Sequence, residues 1–426
     1  MPGSPRLSVD PPDLDLGRRA VPTVLPVDVK ILKSSFAVAE RRAEHTVKFF
    51  YAHLFRHHPA LRELFPVEDE DMQRQRDRLF AALTRIVGRL HDDGLLPYLH
   101  DLGRDHRKYR VAPEHYAAVG TSLRAALAAA CGASWTPATE KAWAEAYQVV
   151  ADAMTDGAAR SQDPPWWDAE VVRHLTYGPD TGVLTLLPDA PLPYVPGQYV
   201  SVSSDLVPRV WRPYSLGNAP RPDRTVDLHV SRIDGGRLST ALVRRTAPGD
   251  RLRLGAPGGR AVLRREGRPI SFVAAGTGWA PVRAMLEDLA ERPPDAEVRL
   301  FVVARDAAHF YDRPVIEALA AGPVRPSVTY ITPAPGRHRN QATERLATAL
   351  GNRGRWPDQD VHLSGPAPFV EEIAHLVREL GADPARVFHD ALPYGAGTAG
   401  RPRPLGPGEW FLDPPAPHWH DPAARM

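Results

Sequence analysis

A chain of 426 residues is longer than one hydrophobic core organises, and it predicts two or three domains. With 53 Lys+Arg against 51 Asp+Glu and a net charge of +2, it lacks the basic footprint of a nucleic-acid binder. Its single cysteine, Cys131, excludes an intrachain disulfide and any cysteine-built zinc or iron–sulfur site, which suits a reducing compartment.

Residues 1–26 are rich in Pro, Gly and Arg with no apolar period, and predict a flexible tail without a signal peptide. From 27 to 160 the chain reads as helices: Val47, Phe50, Tyr51, Leu54 and Phe55 recur at helical spacing, as do Leu79, Leu83 and Ile86. The longest small-apolar run, AALAAACGA, falls far short of the ~20 residues that span a bilayer. A soluble, cytoplasmic protein with no membrane partner is expected. Over 161–265 short β-type segments (GVLTLLP, GQYVSVSS, TVDLHVSR) alternate with Pro, Gly and Asp turns, predicting an antiparallel β-barrel or sandwich. Over 266–392 buried strands alternate with helices (ISFVAAG then APVRAMLEDLA), a βαβ pattern that predicts a Rossmann-like α/β domain with a parallel sheet. Residues 393–426 read as a second flexible tail.

Within the helical part, the stretch LGRDHRKYRVAPEHY sets Leu99, Leu102 and His106 at i, i+3 and i+7, so the imidazole points to the apolar side while Arg104 and Lys108 point elsewhere. Tyr51 and Gln75 also lie on inward faces, where each polar group needs a partner. Three such groups in an all-helical domain point to a polar ligand between them.

These stretches, with FFYAHLFRHHPALRELFP and QRQRDRLFAAL, resemble the globin domain of flavohaemoglobins, and the resemblance covers roughly residues 27–392. It implies His106 as the proximal ligand of a b-type haem, with Tyr51 and Gln75 as the distal pair that hydrogen-bonds dioxygen. Leu79 is then the apolar residue over the iron, Phe65 the ring on the porphyrin and Tyr116 the tyrosine near the proximal histidine. GQYVSV with Tyr199, then Arg212, Pro213, Tyr214 and Ser215 (RPYS), then GGRLST and GAPGG, follow the order of ferredoxin-reductase-type FAD domains. The resemblance implies Arg212 on the FAD pyrophosphate, Tyr214 against the flavin, Ser215 near N5, and Gly236, Leu238 and Ser239 in the phosphate turn. Gly276, Thr277 and Gly278 follow a buried strand and, with Pro281, open a helix, as a nucleotide phosphate site requires.

Ser364, Gly365 and Pro366 stand where the family often has Cys-Gly-Pro near the nicotinamide. Arg305 suits an adenosine 2′-phosphate or equally a surface carboxylate, so NADH and NADPH both stay open. The implied activity is nitric oxide dioxygenation by NAD(P)H, through FAD and haem, in a monomer or weak homodimer. The alternatives are a reductase or oxidase with another acceptor, or an oxygen carrier with a vestigial reductase. Several positions depart from the family. Ala158 replaces a proximal glutamate, with Asp156 expected on another face; Asp105 replaces a lysine and alters the charge where the flavin domain docks. Asp390 replaces a glutamate and Leu392 an aromatic ring, leaving Tyr394 or Trp410 to cover the flavin.

Overall fold

A computed structural model of the chain describes residues 28–333, 340–352 and 356–390. The expected tails lie outside these residues, as do Leu392, Tyr394 and Trp410.

The first domain is helical: α1 (Val29–Glu40), α2 (Ala43–His57), α3 (Asp69–Gly88), α4 (Leu95–His106), α5 (Pro113–Cys131) and α6 (Pro137–Arg160). Caps set its boundaries: Asp28 accepts from the Ile31 N–H at the start of α1, and Thr136 from the Thr139 N–H at the start of α6. The apolar spacing of α2 buries Val47, Phe50, Tyr51 and Leu54 on one face. After α4 the chain makes one 3-10 turn, passes through Arg110 at φ 58°, and restarts at Pro113, the first residue of α5. Helices α4 and α6 cross at backbone contact. A Cβ on Gly103 would meet the Met154 carbonyl oxygen at 1.9 Å, and one on Gly157 the His100 carbonyl oxygen at 2.3 Å.

The second domain holds β1 (Trp167–Tyr177), β2 (Thr181–Pro188), β3 (Tyr199–Ser204), β4 (Val207–Ser215), β5 (Val226–Ser231), α7 (Arg237–Arg244) and β6 (Arg251–Leu254). The strands form one antiparallel sheet in the order β4-β3-β6-β1-β2-β5. Leu216, just past β4, bridges to Leu228 on β5, so the two edge strands meet and the sheet curls closed, as the expected barrel requires. Val200, Val202, Leu252 and Leu254 point inward, and Leu238, Ala241 and Leu242 of α7 pack on the same core.

The third domain runs β7 (Ile270–Ala275), α8 (Trp279–Glu291), β8 (Val298–Val303), α9 (Arg313–Ala321), β9 (Ser327–Ile331), α10 (Asn340–Gly351), β10 (Asp360–Ser364), α11 (Ala367–Glu379) and β11 (Val387–Phe388). All pairings are parallel, in the order β11-β10-β7-β8-β9. Strand β7 is apolar on both faces because both are covered. Ile270, Phe272 and Ala274 pack with α8 and α9, while Val273 and Ala275 pack with α10 and α11. The strand order reverses between β7 and β10, and a crevice opens beyond their carboxyl ends.

Candidate functional site

In the helical domain the His106 ring lies at the last turn of α4, where its Nδ1–H donates to the Leu102 carbonyl at 2.8 Å. That bond fixes the tautomer and leaves the Nε2 lone pair available to a ligand. Burial holds the imidazole pKa below its usual value and so keeps it neutral; the charges it feels, Asp105 and Lys108, oppose each other. Tyr51, only 3% exposed, has its hydroxyl hydrogen-bonded to Gln75, and burial raises its pKa. The Phe65 ring meets Tyr51 edge-on at 5.5 Å. Leu79, one turn beyond Gln75, and Tyr116 are half-buried against the same core. Among the described residues Tyr116 shares no hydrogen bond with His106; its carbonyl accepts from the Tyr147 hydroxyl at 2.6 Å.

Ala158 is half-buried on α6, at the His100 end of the seam with α4, while His106 lies past the other end. Asp156 is committed to His100 at 3.2 Å and Arg160 at 2.8 Å.

The junction with the barrel is built largely from residues just after His106. Asp105 is salt-bridged to Lys108, whose Nζ also donates to the Ser201 hydroxyl of β3 at 2.8 Å. Lys108 points away from the apolar side, as its spacing predicts, but it is buried against the barrel rather than solvated. A cation therefore stands at the docking face despite the aspartate at 105. Tyr109 is edge-on to His106 (centroids 5.7 Å apart) and to Trp211 of β4 (6.4 Å), and Lys108 lies over both outer rings of that second pair. Trp211 immediately precedes Arg212.

A cleft of about 530 Å³ lies between the barrel, the α/β domain and α3. Each described residue that the sequence offers as a cofactor contact in these two domains lines it except Tyr199, which is backbone-paired with Gly258. Burial, reinforced by Asp390, pushes the Tyr199 phenol up to about 12. The cleft floor is shaped by backbone. Gly276 takes φ +55°, and a Cβ on Gly278 would meet the Ser364 carbonyl oxygen at 2.4 Å, so the loops after β7 and β10 touch. Asp390 accepts from the Arg260 N–H at 2.9 Å, tying the segment after β11 to the barrel.

Residues that sequence reasoning missed also line the cleft. Arg74 and Arg78 come from α3, two turns of the helical domain, and Arg78 has no hydrogen bond or ion pair among the described residues. His229 on β5 is buried, with Nδ1 2.6 Å from the Tyr311 hydroxyl and Nε2 3.5 Å from Arg283. Arginine only donates, so Nε2 accepts and Nδ1–H donates to the tyrosine oxygen. His362 on β10 lies against Phe388, centroids 4.9 Å apart, and neither of its nitrogens has a partner. Burial lowers both histidines to about 3, so both are neutral. In sequence a histidine inside an apolar strand reads only as core.

Three family models match in succession: Globin over residues 48–154, Oxidoreductase FAD-binding domain over 169–262 and Oxidoreductase NAD-binding domain over 272–375. A curated flavohemoprotein of Bordetella parapertussis is 29% identical over 399 residues, covering 86% of this chain and 97% of the relative. One from Bacillus subtilis is 25% identical, covering 85% and 96%. Among solved structures, a flavohemoglobin of Malassezia yamatoensis superposes with a TM-score of 0.71 at 20% identity, over 85% of this chain and 97% of that one.

Fold and domain order thus define a globin fused to a two-domain reductase module, an NAD(P)H-dependent oxidoreductase. Along most of its length the chain is similar to curated flavohemoproteins.

Proposed function

We propose that this protein moves electrons from NAD(P)H through FAD to a b-type haem and uses them to oxidise nitric oxide with dioxygen to nitrate. The observation that carries the reading is the junction: the Tyr109 ring bridges His106 to Trp211, one residue before the cleft-lining Arg212. The Malassezia flavohemoglobin holds FAD and haem, and the residues present here fit both groups. His106 offers a neutral imidazole with its Nδ1 proton already placed, and the unpaired Arg78 and His362 nitrogens line a cleft of cofactor size.

When bound, FAD splits a hydride into single electrons and haem supplies the iron at which dioxygen is activated. The protein's own part is positioning. Leu102 holds the imidazole orientation through its carbonyl. Gln75 orients the Tyr51 hydroxyl, whose O–H would be the donor for dioxygen, with Phe65 and Leu79 packed on the same core. Tyr214 and Ser215 on β4 would hold the flavin ring, and Asp390 ties the segment after β11 to the barrel. The close approach of Gly278 to the loop after β10 would let one crevice hold both the nucleotide phosphates and the nicotinamide.

A second reading has its own observation. His106 donates its Nδ1–H to a neutral carbonyl rather than to a carboxylate, so the proximal ligand is a weaker electron donor. That favours an NAD(P)H oxidase or reductase with an acceptor other than nitric oxide. NAD(P)H oxidation in air, with and without nitric oxide, separates the two. The dioxygenase consumes nitric oxide and yields nitrate in equal amounts, whereas unchanged NAD(P)H oxidation without nitrate rejects that activity.

A further inference from the structure

The Asp71 carboxylate of α3, with its side chain 1% exposed, is the hub of an arginine cluster drawn from two domains. It pairs with Arg212 of β4 at 2.5 Å, with Arg237 at the start of α7 at 3.4 Å and with Arg74 at 3.7 Å. Arg74 also donates to the Gly235 carbonyl at 3.2 Å, in the turn that leads to Gly236. Glu68 reaches Arg237 at 3.5 Å. Arg78, one turn past Arg74, adds its charge to Arg212 but has no counter-ion of its own among the described residues. The four guanidiniums outnumber the two carboxylates that pair with them, and Arg78 is left without a counter-ion, so the partly desolvated wall keeps a positive surplus. A flavin pyrophosphate diester carries two negative charges, and each of its phosphates matches the planar donor fork of an arginine.

We infer that the FAD pyrophosphate site is shared between domains: α3 of the globin domain supplies Arg74 and Arg78 to complete the phosphate cage that Arg212 begins. This rests on the reading of the cleft as a flavin site. Asp71 is a positioning residue here. It gathers guanidiniums that would otherwise repel, and it leaves Arg78 free for the ligand. The globin domain is then part of the flavin site, and undocking it loosens the flavin.

The test is a titration of FAD, and separately of riboflavin, into the full-length haem-loaded protein depleted of flavin, followed by flavin fluorescence. Arg78→Gln removes a half-exposed side chain that holds no partner, so the fold and the haem absorption spectrum should be unchanged. The expected result is an FAD dissociation constant raised roughly tenfold or more, with a smaller rise for Arg74→Gln and a shallower dependence on salt. Riboflavin, which lacks phosphates, should bind both variants as it binds the parent. Equal FAD affinity in parent and Arg78→Gln overturns the inference and leaves the flavin reading intact, as does an equal loss for riboflavin. A parent protein that binds no FAD removes the flavin reading, and the inference with it.

Discussion

The haem-side pocket and the reductase cleft are built on opposite principles. On the proposed reading the globin domain's chemistry rests on side-chain identity: His106, Tyr51 and Gln75 stand on three regular helices, and each could be exchanged for a near-isostere without moving the backbone. In the cleft it rests on backbone shape, because the loops after β7 and β10 meet at a distance only glycine allows. Substitutions on the helical side should therefore remove function and spare the fold. Those at the cleft's glycine loops should disturb both.

The largest expected effect is on the helical side. His106→Ala should abolish stable haem retention while NAD(P)H still reduces the flavin, since His106 on α4 does not line the cleft. Loss of flavin reduction in a folded, FAD-loaded variant would break the contrast. Next comes the cleft. Gly278→Ala drives a Cβ to 2.4 Å from the Ser364 carbonyl oxygen and 2.6 Å from the Gly365 nitrogen, with no flexible side chain to yield. Forced backbone shifts of this kind cost ~1 to 3 kcal/mol, and the rate of flavin reduction by NAD(P)H should fall ~10 to 100-fold with the haem spectrum unaltered. A normal rate in stopped-flow would show that the loops slide apart freely.

A smaller effect is expected at Tyr51. Removing its donor as Tyr51→Phe should speed dioxygen release roughly tenfold or more, if the lost bond is worth ~1.5 to 3 kcal/mol. An unchanged dissociation rate would mean that the hydroxyl serves only Gln75.

The mildest prediction concerns acid. His229 and His362 are held near 3 by burial, with Arg283 and Arg264 adding to the shift, against 6.5 when unfolded. Between those values the unfolded chain binds more protons than the folded one. Stability of the reductase half should therefore fall as pH drops below 6.5, by ~1.4 kcal/mol per pH unit for each histidine. Thermal unfolding followed between pH 7 and pH 5 should show that slope, and His362→Phe should flatten part of it. A melting temperature that does not move over this range would place these histidines in contact with water.

The same contrast explains what the sequence disclosed. The inward placement of His106 was legible because Leu99 and Leu102 share its face, and the Leu102 carbonyl accepts its Nδ1–H; the relation is local and helical. The doubly wound third domain was legible because β7 is apolar on both sides. What escaped is long-range. Asp105 in place of a lysine predicts a changed charge at the docking face, yet Lys108, three residues on, restores a cation there by reaching Ser201 of the barrel. Only the docked domains make that visible. The Asp71–Arg212 pair joins residues 141 apart, and no spacing rule connects them. His229 hides for a different reason: a strand that is otherwise core gives no sign that its imidazole meets Tyr311 of the next domain.

The proposed electron path runs from the cleft, past the Trp211–Tyr109 contact, to His106. Anaerobic stopped-flow mixing of NAD(P)H with the FAD- and haem-loaded protein follows both ends at once. Bleaching of the flavin band followed by the shift of the haem Soret band from the ferric to the ferrous position is the predicted result. A flavin that is fully reduced while the haem stays ferric would contradict it.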